Sequence, residues 1–518
     1  MQITASLILW TAAQVSRVLS DYYTMSVFLQ LPRELRDLIY EYYFYVDGGY
    51  THDFASNKLR RTGGDPVQLT LTYVCRQVVD ETRELPLRLN PIYFTTFHSE
   101  DTEVQAALLE ANHKEINKRK VCLVNESASA LFSNKDVEIL KKEFPQFTPI
   151  VDGWLSQGQF QIFGQVFVNC GEAPSLWHDF VAFTLDRLSQ SPDFAKKAKA
   201  RSRFRPPYEG NQAFDLNSAR PEPWNILDAE EVERLSIITN VNYGFPFTAE
   251  RTKHAYSAAQ VAVRFLRSIP TTTCGMIRKI ALLEDRESVA MPASHGRGFI
   301  KFCQAHPKLK IERSVSLWKA LFPVAPGMVS IYQRGVQRHM DEGLLDFDRC
   351  PAGRMTKAVC MWIAEALLLP TLGMPKDAFT LILDGGPTPD HTSRVVSSVI
   401  QRDLAWQTAL DISYTRGLLP KPSWLDRRTC IGYMYEGLPD AMHKLSKESS
   451  LIRTNFDFNM PRFDIDSPSQ DLEKLLEDHR GWTMQEWERG WRTHDPARFQ
   501  TQAPLPPWHI LRWNGVIM

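Results

Sequence analysis

The sequence has no excess charge of either sign: 60 Lys and Arg offset 60 Asp and Glu across 518 residues. That balance argues against a surface built for polyanions over the whole molecule, although not against a local basic patch. Long apolar runs are also missing. The most apolar stretch, Ala358 to Leu369, has 12 residues and contains Glu365, whereas a bilayer span needs about 20. No membrane helix is expected. None of the eight cysteines belongs to a C-x-x-C pair, so the sequence encodes no zinc knuckle or thioredoxin-like site, which need two closely spaced thiols. Scattered thiols in apolar runs such as Lys120 to Val124 instead fit a reducing compartment, cytoplasmic or nuclear. No H-x-H, H-E-x-x-H or G-x-S-x-G occurs either, and neither a metal nor a cofactor is expected.

What is present is ordinary for a globular chain, with 43% apolar and 23% charged residues. The length calls for two or more cores. The prolines, 32 against 26 glycines, favour stiff connections. Ile3 to Trp10 is apolar but lacks the positive flank of a signal peptide. Residues 1–24 are expected to be an extension ahead of Met25.

Residues 31–45 read as an amphipathic helix, with Leu31, Leu35, Leu38, Ile39 and Tyr42 on one face. Pro32 suits its first turn, and Glu34 and Asp37 suit its positive end. A polar, glycine-containing connection from Asp47 to Pro66 precedes a second helix over Tyr73 to Leu85, which Pro86 and Pro91 stop. Ile92 to Phe97 is rich in β-formers. Three later stretches each read as a helix followed by a short apolar strand. They are Val104–Lys118 with Lys120–Val124, Ser257–Ile269 with Ile277–Leu283, and Thr356–Leu369 with Phe379–Leu383. Ser257 and Gln260 form a capping box for the middle helix. Phe160 to Cys170 suggests further strand. Residues 191–225 are basic and rich in proline, and read as a linker. Expected divisions are thus 1–24, 25–97, 98–190, 191–225 and 226–518, the last holding α/β structure and tryptophan-rich terminal helices.

Leu31-Pro-Arg-Glu-Leu-Arg-Asp-Leu-Ile-Tyr40 resembles the L-P-x-E-[LI]-R-x-x-I-Y opening of F-box-like domains common in fungal proteins. Val74 to Thr82, with Asn90 and Phe94 after it, is similar to the C-R-Q-x-x-x-E helix and downstream segment of the same domains. The likeness covers residues 28–97, and the insert from Asp47 to Pro66 departs from a compact three-helix F-box. It implies a module that docks on the adaptor subunit of a cullin-type ubiquitin ligase while the rest of the chain selects a protein substrate. On that likeness Leu31, Pro32, Leu35 and Ile39 are the partner-binding residues. The alternative is a structural cap whose leucines are core. The expected fold class is α/β in the mixed α+β sense: an F-box-like helical unit packed on a larger, irregular helix–strand body.

Other segments offer chemistry beside a plainer reading. His295-Gly-Arg-Gly298 with Lys301 has glycines and cations suited to phosphate, yet lacks a full P-loop, and a helix-start turn with a surface histidine is the simpler expectation. Asp384 to His391 follows a strand, and Asp384, Asp390 and His391 could serve a hydrolase; a tight surface loop uses the same residues. Six cations between Lys196 and Arg205 have only Phe204 interleaved, which suits a solvated linker better than a nucleic-acid surface. Trp482, Trp487, Trp491, Trp508 and Trp513 crowd the C-terminus, where packing is preferred to partner binding. The leading expectation is a non-enzymatic intracellular interaction protein.

Overall fold

The computed structural model describes residues 28–156, 171–196, 212–241, 254–323, 352–430, 432–445, 451–458, 468–493 and 499–513. The fold is mixed α/β. Seven strands are present among these residues: β1 Tyr50–Asp53, β2 Lys58–Arg61, β3 Ile92–Thr95, β4 Lys279–Glu284, β5 Lys310–Ser316, β6 Phe379–Asp384 and β7 Ile452–Thr454. β1 pairs antiparallel with β2 and parallel with β3. β4, β5, β6 and β7 are neighbours in chain order, and the β5–β6 and β6–β7 pairs are parallel. Helices Ala352–Leu368 and Pro389–Thr415 precede β6 and β7, as the crossovers of parallel strands require. No helix among the described residues is long and apolar enough to cross a membrane.

The chain forms two compact units, one of the residues up to Tyr93 with Pro270–Ile280, the other of Phe94–Ile269 with Ala281 onward. In the first, helix Arg33–Phe44 buries Arg36, Tyr40 and Phe44, a spacing of four that keeps them on one face. Tyr40 and Phe44 pack on Val78 and Leu85. The single helix expected over Tyr73–Leu85 is in fact three short pieces, Thr70–Tyr73, Arg76–Thr82 and Leu85–Leu89. Pro86 starts the last piece rather than stopping one, because a helix's first turn leaves its N–H groups unpaired anyway. The Asp47–Pro66 connection is also corrected, since it holds the β1–β2 hairpin. Its strands are short and half-exposed, so no apolar alternation marks them. The hairpin turn is set by Asn57 at φ 52° and by Asp53 accepting from Ser56 Oγ at 2.7 Å. At Gly49, φ is 66° and a Cβ would lie 2.4 Å from the Pro91 carbonyl oxygen, so only glycine fits.

In the second unit the expected strand Lys120–Val124 lies inside helix Glu100–Leu131. Nothing breaks the chain after Lys118, and Ile116, Lys120, Leu123, Val124, Ser127 and Ala128 are buried at helical spacing. A four-residue apolar run carries no period of its own, so packing against helices Pro174–Ser189 and Ala229–Thr239 decides its state. The middle helix forms as expected over Ala258–Ser268, with Ser257 and Gln260 exchanging their capping bonds. Residues 1–24, Phe160–Cys170 and most of the basic run lie outside the described residues.

Candidate functional site

The face that the Leu-Pro-Arg-Glu segment turns outward is apolar. Leu35 is 47% exposed, Leu38 63%, Ile39 44% and Tyr42 89%. Pro32 caps the helix and is exposed, while Leu31 is half-buried. The inner face reverses ordinary amphipathic logic, because its anchor is ionic. Arg36 donates from Nε and Nη2 to both Glu81 oxygens, at 3.1 and 2.7 Å, and from Nη1 to the Leu31 carbonyl at 2.5 Å. Tyr40 donates to Glu81 at 2.8 Å. This fork-on-fork pair holds the Glu81 carboxyl down to about 2, chiefly through the Arg36 hydrogen bonds. Burial and the same carboxylate raise the Tyr40 phenol to about 12. Asn90 ties the helix end, donating to the Phe44 and Pro86 carbonyls at 2.7 and 2.8 Å and accepting from Val46 N–H at 2.7 Å. The polar motif residues therefore hold the helix in place and leave its leucines outside. Tyr73 and Val74 of the same unit are exposed as well.

No known protein family, curated protein or solved structure matches the chain. The likeness thus rests on the motif residues alone.

The other candidates are reassigned by geometry. His295 is fully buried, not a surface residue. Its Nε2 donates to the Ala290 carbonyl at 2.8 Å, which leaves Nδ1 to accept from the Ser257 hydroxyl at 2.7 Å. Ser257 accepts in turn from Gln260 N–H at 2.9 Å. Burial keeps the ring neutral, its pKa well below the usual histidine range. Gly298 serves packing rather than phosphate, since a Cβ would stand 2.7 Å from Trp224. Arg297 is paired with Asp179 at 2.8 Å.

Asp384 and His391 do not meet. Asp384 Oδ1 accepts from Gly386 N–H at 2.8 Å and Asn455 Nδ2 at 2.6 Å. His391 stacks on Trp318, with rings 5.3 Å apart, and its Nε2 donates to the Gln500 carbonyl. The acid–base pair that a hydrolase needs is not assembled between these two. No group of three or more potential metal ligands gathers among the described residues. Trp487 packs on Trp406 within a core cluster, Trp491 donates to Asp403 at 3.1 Å, and Trp508 is buried against Trp318. These tryptophans clamp the C-terminal helices.

Sequence reasoning missed one buried polar set. Glu284, the last residue of β4, accepts from the N–H groups of Ala258 and Ala259 at the start of helix Ala258–Ser268, and from Arg313 of β5 at 2.8 Å. Arg313 lies 4.4 Å over the Trp362 ring. One turn beyond Trp362, Glu365 accepts from Ser175 N–H and hydroxyl, each at 2.7 Å. The signal for it was a lone carboxylate inside the apolar run Ala358–Leu369.

Proposed function

We propose that the N-terminal unit docks a protein partner through the outer face of helix Arg33–Phe44, and that the partner is the adaptor subunit of a cullin-type ubiquitin ligase. The observation that carries this reading is the exposure of Leu35, Leu38, Ile39 and Tyr42 on one helix while a buried Arg36–Glu81–Tyr40 cluster secures the opposite face. Single exposed leucines are unremarkable, but a contiguous apolar helix face marks an interaction surface. Such a face fits a hydrophobic groove read at positions i, i+3, i+4 and i+7, which here are Leu35, Leu38, Ile39 and Tyr42. The F-box-like motif supplies the partner class. On this reading Leu31 and Pro32 form the rim beside Leu35 and Ile39, the remainder of the chain selects a protein substrate, and the protein works in the cytoplasm or nucleus.

The test is capture of purified adaptor by the full chain, under conditions where established F-box proteins retain it. Leu35→Asp with Ile39→Asp is expected to abolish retention while leaving the unfolding midpoint within about 0.5 kcal/mol of the parent, as for other exposed positions. Failure of the parent chain to retain adaptor, or retention undiminished by both substitutions, would refute the assignment.

A further inference from the structure

A cavity of about 220 Å³ lies in the second unit. It is lined where two neighbouring strands end. Glu284 closes β4, and Ala320 and Leu321 belong to the π-helical turn Leu317–Leu321 after β5. Open α/β sheets hold ligands outside the carboxyl ends of their strands, and π-turns gather at functional sites. The backbone at one wall is strained. Ala290 and Met291 both adopt left-handed φ, 61° and 58°, a conformation that costs a non-glycine residue of order 1–3 kcal/mol. The Glu110 carboxylate accepts the Ala290 N–H and His295 donates to the Ala290 carbonyl, while Met291 faces the cavity. Fold energy is thus committed to keeping this wall in place.

The walls are mainly apolar, with Pro174, Leu321, Met361 and Trp362 among them, yet four carboxylates line the space against two cations, Lys114 and Arg286. Lys114 pairs with Glu110 at 2.6 Å, and Arg286 and Glu287 are both exposed, whereas Glu284 and Glu365 are each 2% exposed. Glu284 is saturated by two backbone N–H groups and Arg313. Glu365 differs. Among the described residues Ser175 alone hydrogen-bonds to it, once on each oxygen, and a carboxylate accepts about four such bonds. Burial raises its carboxyl above the usual range, the mark of a charge without full compensation.

We propose that this cavity binds a small organic cation, an ammonium or guanidinium on a short aromatic or aliphatic stem, with its head against Glu365 and its stem against Trp362 and Met361. A cationic head supplies the charge-assisted hydrogen bonds that Glu365 lacks. The stem fills a space larger than the roughly 150 Å³ that admits benzene in an apolar core, so a single-ring amine fits. An anion would face the buried carboxylates of Glu284 and Glu365, and a hard divalent cation would find mostly carbon where it needs six or more oxygens. This site is independent of the docking helix and stands or falls separately from it.

Calorimetric titration of the full chain with 2-phenylethylammonium and its uncharged isostere 2-phenylethanol tests the proposal. Saturable one-to-one binding of the ammonium is expected, with the alcohol at least about tenfold weaker. Glu365→Gln keeps the bond from the Ser175 N–H at its oxygen, reverses the one with the hydroxyl so that the amide NH2 donates to Ser175 Oγ, and should weaken the ammonium about tenfold or more without changing the alcohol. Met361→Trp, at a 43% exposed position, should block both. Equal affinity for alcohol and ammonium overturns the proposal, as does no saturable binding of 2-phenylethylammonium or butylguanidinium up to about 10 mM, weaker than specific ligands bind. If Glu365→Gln fails to fold by circular dichroism, Met361→Trp decides alone: affinity unchanged in that variant overturns the site.

Discussion

Glu81 is the residue on which the first unit depends most visibly. It receives both arms of Arg36 together with the Tyr40 hydroxyl and Gln77. Glu81→Gln leaves the guanidinium with half its partner, and is expected to cost about 2–3 kcal/mol, read from denaturant midpoints. The pH dependence has a definite sign. A carboxyl held at about 2 in the folded protein, against about 4.3 unfolded, contributes stability above pH ~4.3 that is lost as pH falls toward 2. The full shift corresponds to about 3 kcal/mol, and solvent screening near the surface reduces it to about 1–2. The parent should therefore lose more stability than Glu81→Gln between pH 5 and pH 2.5, roughly the window between the two pKa values. Equal losses would place the acid sensitivity elsewhere.

At the scale of elements, Asn90 joins three backbone segments from one buried side chain. Asn90→Ala leaves two carbonyls and one N–H without their partner, so a loss of about 3 kcal/mol or more is expected in urea unfolding of the unit. A loss below about 1 kcal/mol would show that water replaces it readily. The contrast with Leu35 and Ile39 is the useful one. Within the Leu31–Phe44 segment the exposed Leu35 and Ile39 are expected to be dispensable for folding and the buried Arg36, Tyr40 and Phe44 are not. An amphipathic pattern alone gave the two faces of this helix but not which one is covered. The same pattern suits a helix resting on its leucines and one resting on Arg36, Tyr40 and Phe44. The Lys120–Val124 run shows a related ambiguity, because its β-branched residues fit a strand locally and a helix once neighbouring helices bury every third or fourth side chain.

Across the molecule, acid acts on the second unit through histidines that folding keeps uncharged. Burial lowers His113 to about 4 and His178 to about 3, with rings 6.0 Å apart. Because the unfolded chain takes up protons below about pH 6.5 and the folded one does not, stability falls between pH ~6.5 and ~4. Glu365 and Asp403, raised by burial, act in the opposite sense, so the histidine effect is read by comparison. His113→Asn should lose less stability than the parent between pH 6.5 and 4.5, the difference reaching about 2–3 kcal/mol. Tryptophan fluorescence reports it selectively, since every tryptophan except Trp10 belongs to the second unit. Identical slopes would show that His113 is protonated without penalty.

By itself the sequence determined the mixed α/β class, the capped helix after Ser257, the strands near 279–284 and 379–384, and the helix that carries the F-box-like motif. These are local matters, set by caps, breakers and periodicity within a dozen residues. Tertiary structure decided which face of that helix is covered, whether His295 meets solvent, and that Asp384 and His391 turn to different partners. It also brought Glu284, Trp362 and Glu365 around one cavity, although they are spread over 82 positions of the chain. Burial and pairing of this kind depend on which surfaces meet across long sequence separations, and short-range patterns carry no record of that.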